Sequence, residues 1–105
     1  MGKRVPFTVV VAPAAKAELD ALRAFEQRQV TDAVDANLIF DPLLSTRKRK
    51  SVGGLAAGFQ YDPPLWELKV GQLRVFYDVN QEKRTVHIRS VRRKPPGKTT
   101  QEVVR

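Results

Sequence analysis

The chain has no cysteine and a single histidine among its 105 residues. Disulfide frameworks and thiolate metal sites are therefore excluded, no metal or other cofactor is expected, and the composition suits a reducing cytoplasm. The lone His87 has no serine, cysteine or acid set beside it by spacing, so it reads as an ordinary strand histidine rather than a catalyst. Charges interrupt every apolar stretch, which leaves neither a bilayer-spanning run nor the hydrophobic region of a signal peptide, and no membrane partner is expected. Aromatic residues are only 8% of the chain, so few side chains could stack on bases. No internal repeat is visible. A Gly97-Lys98-Thr99 triplet suggests a phosphate loop, but that motif needs a glycine five residues before Gly97, where Arg92 stands.

What the chain has in excess is positive charge, +8 in all, and the excess is local. Arg47-Lys48-Arg49-Lys50 form one run, and Arg89, Arg92, Arg93, Lys94 and Lys98 form another. The remainder is close to neutral. Charge gathered in two segments favours a polyanionic partner over a merely soluble surface, provided the two segments meet on one sheet. A length of 105 residues with 42% hydrophobic content predicts one domain with a small core.

The organising stretch is Leu65 to Lys94, LWELKVGQLRVFYDVNQEKRTVHIRSVRRK. It alternates apolar and polar side chains in three runs, the period of half-buried strands. Trp66, Leu68 and Val70 face one way and Glu67 and Lys69 the other. Gly71-Gln72 fits a two-residue hairpin turn. In the second run Leu73, Val75, Tyr77 and Val79 oppose Arg74, Phe76 and Asp78. After a turn at 80–83, strict alternation sets Val86, Ile88 and Ser90 against His87, Arg89 and Val91. The expected result is an antiparallel meander with one apolar face, including Trp66 and Tyr77, and one charged face. Phe76 is the base-stacking candidate of that charged face, with Phe59 and Tyr61 as alternatives.

Upstream, Lys3-Arg4 is a short basic start expected to fray. Phe7 to Val11 reads as a strand. Pro13 suits the first turn of a helix bearing Ala15, Leu19 and Leu22. A second helix, about 26–40, carries Val30, Ala33, Val34, Asn37 and Leu38 on one stripe and is stopped by Pro42. The two helices form a hairpin that can cover one face of the sheet. Residues 43–64 hold the RKRK run and several glycines and prolines, predicting a flexible basic loop, with 51–62 an insertion. Residues 95–105 read as a short polar tail.

The hairpin WELKVGQLRVFYDV, the basic cluster Arg92-Arg93-Lys94 after the last strand and the two preceding helices resemble the RelE/ParE superfamily of toxins from type II toxin–antitoxin pairs. The resemblance covers roughly residues 7–94. It implies an α+β fold in the order β-α-α-β-β-β, a helical hairpin packed on a small, mostly antiparallel twisted sheet. It implies a cognate antitoxin as partner. For the RelE-like branch it implies metal-independent cleavage of mRNA on the ribosome, hence translation inhibition. A ParE-like inhibitor of DNA gyrase, or a catalytically silent binding module, are the alternatives the same fold allows.

Cleavage by a 2′-hydroxyl needs a proton acceptor, a stabiliser of phosphate charge and a proton donor to the leaving oxygen. Arg74 matches the superfamily's hairpin arginine and can grip two phosphoryl oxygens; otherwise it pairs with Asp78 or Glu67. Lys69 matches one of two strand lysines found in catalytic relatives. Glu67 stands where the other would be, and is either a base or a salt-bridge partner. Arg93 or Lys94 matches the basic residue that assists the leaving group. The tyrosine that some relatives place just beyond is replaced here by Thr99 and Thr100. Arg47, Lys48, Arg49, Lys50, Arg89 and Arg92 complete the expected RNA-binding set.

Overall fold

A computed structural model describes residues 5–105, and the basic start at Lys3-Arg4 lies outside them. The elements run β1 (Thr8–Val11), α1 (Pro13–Asp20), α2 (Ala24–Leu38), β2 (Arg49–Gly53), β3 (Leu65–Val70), β4 (Leu73–Asn80), β5 (Thr85–Arg93) and α3 (Thr100–Val104). They form one five-stranded sheet in the order β1-β5-β4-β3-β2. Only the β1–β5 pair is parallel; the other three are antiparallel. The expected α+β fold is what the chain adopts. Among the described residues no helix is long and apolar enough to cross a membrane.

The helical hairpin covers one face. Pro13 opens α1, where its missing N–H leaves no bond unmade. Ala15, Val30, Val34 and Leu38 turn inward onto Trp66, Leu68, Val75, Tyr77, Val86, Ile88 and Val91. The α2 helix stops at Leu38, before the expected Phe40. A carbonyl of its last turn and one just past its end are met by a side chain from further along the sequence: the Arg49 guanidinium donates to the Asn37 and Asp41 oxygens. A cation at a helix C-terminus is favoured both by those carbonyls and by the helix dipole.

The β3–β4 hairpin forms as the alternation predicts, with Trp66 opposite Tyr77 and Lys69 opposite Arg74. Gly71 takes the turn with φ 58°, a conformation that favours glycine. In β5 the alternation breaks. Phe76 pairs with Ser90 but Tyr77 pairs with Ile88, so Arg89 is an extra residue in a bulge. Beyond it the faces exchange. Val91 joins Val86 and Ile88 in the helix-side core, and Ser90 turns to the other face, the reverse of what strict alternation gives.

Two further expectations are corrected. The 43–64 stretch contains β2, tied to β3 as the edge strand, and the polar tail contains α3. Thr99 and Glu102 close a reciprocal capping box on that helix. Together α3 and the 53–62 segment cover the second sheet face. Leu65, Phe76 and Val104 are fully buried there, with Leu55, Phe59 and Tyr61 packed around them. Phe76 is thus core, not a base-stacking platform: its ring lies 6.1 Å from that of Phe59, and its relative exposure is 0%.

Candidate functional site

The second face brings Glu67 and Arg74 together on adjacent strands and then encloses them. Their carboxylate and guanidinium stand 3.9 Å apart, Oε1 to Nε. The other carboxylate oxygen accepts from the Thr100 hydroxyl at 2.8 Å, a bond supplied by the first residue of α3. Glu67 is only 3% exposed and Arg74 8%. Arg74 Nη1 donates to the Gly71 and Leu73 carbonyls, both at 2.8 Å, while its Nε has no hydrogen-bond acceptor among the described residues. Of the two pairings open to Arg74, the near one is with Glu67. Asp78 instead holds Arg89, Nε to Oδ2 at 2.6 Å.

The other expected cations separate by role. Lys69 is exposed. Its backbone N–H donates to the Lys48 carbonyl at 2.7 Å. Both line an open cleft of about 410 Å³ with Gln29, Asp32, Asn37 and Gly71. On the other flank of the same turn, Arg74, Lys94 and Lys98 line a second cleft of about 280 Å³ with Gly71 and Gly97. Arg93 points to the helical side and pairs with Glu26 at 3.0 Å, so of the two candidates after β5 it is Lys94 that joins Arg74.

The remaining expected RNA contacts divide into free-standing and structural cations. Arg47, Lys48 and Lys50 are exposed. Arg49 is buried beneath α2, as described above. Arg89 is held by Asp78 and, at 3.5 Å, by Asp62. Arg92 holds the tail: it donates to the Val103 carbonyl at 2.9 Å and to that of Arg105, and its charge lies 5.1 Å from the Phe59 ring centre. Its Nε also stands 3.4 Å from Glu18.

Two site residues escaped the sequence reading. Lys98 completes the second cleft, and Thr100 closes on Glu67. The Thr99-x-x-Glu102 spacing is a helix-start signature and was the available signal for α3. Burial pushes the Tyr77 phenol well above its ordinary range, against a smaller lowering by the Arg49 charge. The phenol donates to the Pro42 carbonyl at 2.7 Å, so it serves packing rather than proton transfer. Among the described residues no cluster of acids and histidine could hold a metal ion.

Comparison with known proteins agrees with this architecture. A family model described as the ParE toxin of the type II toxin–antitoxin system parDE matches residues 9–94. No curated protein matches the chain in sequence. The fold is similar to that in the toxin–antitoxin complex RelBE2 from Mycobacterium tuberculosis, with TM-score 0.65 and 23% identity, over 86% of this chain and 100% of that one. It is also similar to that in the archaeal RelE–RelB complex from Pyrococcus horikoshii, with TM-score 0.66 and 20% identity, over 89% and 98%.

Proposed function

Because the chain belongs to the ParE toxin family of type II toxin–antitoxin systems, within the RelE/ParE superfamily, we propose that it arrests growth by cutting mRNA on the ribosome, as a metal-independent endoribonuclease. The observation that carries this reading is the Glu67–Arg74 pair, with Arg74 opening onto the cleft that Lys94 and Lys98 also line. Glu67 accepts the 2′-hydroxyl proton, and the 2′-oxygen attacks the adjacent phosphorus. Arg74 neutralises the charge that builds on the phosphoryl oxygens, and the Lys94 ammonium protonates the departing 5′-oxygen as the P–O bond breaks. The step requires Thr100 to leave Glu67, because a carboxylate 3% exposed meets no substrate. A neighbouring antitoxin would restrain the toxin, as the two similar structures are both complexes of that kind. The cytoplasm is where such a protein would act.

The enclosure of Glu67 also favours a second reading, in which the pair is structural and the toxin acts as a binding poison of DNA gyrase. Pulse labelling after induced expression separates the two. The first reading expects protein synthesis to stop while DNA synthesis continues for a time; the opposite order supports the second.

A further inference from the structure

We infer that α3 is an autoinhibitory lid over Glu67 and Arg74, and that Glu18 of the helical layer latches it shut through Arg92. The inference rests on the ribonuclease reading for what the lid silences, but the latch belongs to the geometry alone. So short a helix does not hold itself; bonds from outside hold it. At its start the Thr100 hydroxyl donates to the Glu67 carboxylate at 2.8 Å. At its end three successive carbonyls are met. The Gly58 N–H donates to that of Val104 at 2.7 Å, and Arg92 Nη1 donates to those of Val103 and Arg105. Between them Val104 is the one fully buried side chain of the helix. The strap joining α3 to β5 is exposed from Pro95 to Thr99.

Arg92 is itself fixed from the helical layer. The β1 strand ends at Val11, opposite Ile88, so beyond that point the outer edge of β5 has no strand beside it. The Glu18 carboxylate of α1 takes the strand's place. Its Oε1 accepts from the Ser90 hydroxyl at 2.8 Å and from the Val91 N–H at 3.1 Å, and its Oε2 stands 3.4 Å from Arg92 Nε. That Nε also donates to the Ser90 hydroxyl at 2.8 Å. The bulge at Arg89 that turns Ser90 to the lid side turns Arg92, two residues on, the same way. A guanidinium suits the task because its planar fork aims donors in more than one direction: Nε toward α1, Nη1 toward α3. Both side chains of the pair are partly buried, so solvent screens it less than a surface pair. Glu18 lines neither cleft of the candidate site. It is a positioning residue that acts on the lid through Arg92.

The test uses the full chain without a partner. The lid is read by the rate at which a water-soluble carbodiimide and an amine label Glu67, located by peptide mass spectrometry. Parent Glu67 should label far more slowly than exposed Glu82. Thr100→Val and Glu18→Gln should each raise Glu67 labelling roughly 2- to 10-fold, the population ratio set by one lost hydrogen bond. Glu26→Gln, whose bond runs to Arg93, should leave it unchanged. Asp78, 1% exposed and closed over by Arg89 and Asp62 rather than by α3, should stay protected throughout. Labelling of Asp78 in step with Glu67 would overturn the lid, because the whole face would then be opening. Labelling of Glu67 raised in Thr100→Val but unmoved in Glu18→Gln would overturn the latch. Arg92→Lys, which keeps the charge without the two-way reach, repeats the measurement should Glu18→Gln melt early. Cleavage of ribosome-bound message is measured alongside, and both opened variants should cut faster than the parent. Equal or slower cutting with Glu67 opened would overturn autoinhibition and make α3 a working part of the site. If no protein cuts while labelling follows the expected order, the ribonuclease reading falls and the latched lid stands.

Discussion

Arg49 shows how a residue's surroundings decide its role. Within the run RKRK it is chemically indistinguishable from its neighbours, yet it is 7% exposed while they lie in solvent. Its guanidinium donates to the Asn37 carbonyl in the last turn of α2 and to the Asp41 carbonyl just beyond it. Arg49→Met keeps most of the apolar stem but removes the donor to the Asn37 oxygen and one of the two donors to the Asp41 oxygen, which keeps the Leu44 N–H at 3.2 Å. The expected loss is about 1–3 kcal/mol per orphaned buried acceptor, read as a lower urea midpoint with unchanged slope. Arg47→Met should leave the midpoint nearly where it was. If the two variants melt alike, Arg49 is not the cap the geometry makes it. The same distinction applies to Arg89 and Arg92, whose charges are spent on Asp78 and on the tail rather than offered to a partner.

Among the elements, α3 is the one whose stability is most open to control by pH. It has five residues and would be marginal alone. It is held by its capping box, by Arg92, and by Val104 beneath the 53–62 segment, where the Gly58 N–H donates to the Val104 carbonyl at 2.7 Å. A side chain at Gly58 would bring its Cβ within 2.7 Å of the Arg105 carbonyl carbon, so glycine allows the close approach. The Thr99 backbone N–H holds the Glu102 carboxyl below its ordinary value of 4.5, with help from the Thr99 hydroxyl and Lys98. A carboxylate with a lowered folded pKa stabilises fully above its unfolded pKa, and that contribution is lost as pH falls through the folded value. Amide protection of Val103 and Val104 should therefore decline as pH is lowered from about 6 to about 3, beginning below 4.5. Glu102→Gln should flatten that dependence. An unchanged titration in Glu102→Gln would show that the capping box is not what loosens α3.

At the scale of the whole molecule, two apolar layers meet on opposite faces of one strand. In β4, Val75 and Tyr77 face the helices while Phe76 faces the loop and α3, and all three are fully buried. Stability should be graded outward from this strand, because local opening is least where both faces are covered. Hydrogen exchange should be slowest in β4 and its neighbours in β3 and β5, and fastest in 53–62 and α3. Exchange of α3 as slowly as β4 would contradict this order. It would also make the opening of Glu67 required for RNA cleavage a global unfolding event, and so weigh against the ribonuclease reading. The turn end of the sheet, by contrast, lies outside both layers, and Lys48, Lys69 and Lys98 are exposed there without any opening.

The period of two in WELKVGQLRVFYDV determined the hairpin, its turn and the burial of Trp66 and Tyr77, because alternation on a half-buried strand leaves one register that hides its apolar side chains. Pro13, Pro42 and the helical stripe fixed the two helices to within a few residues for equally local reasons. The concentration of charge in two segments was also legible. Tertiary structure alone decided what those charges do. The bulge at Arg89, a single extra residue, reversed the facing of Ser90 and Val91 and has no local signature in the sequence. The cover over Glu67, Arg74 and Phe76 depends on Val104 and Phe59 meeting across the sheet, a contact between segments about 45 residues apart. Alternation tells which side chains share a face; it cannot tell whether that face meets water, and here α3 and the 53–62 segment took its place.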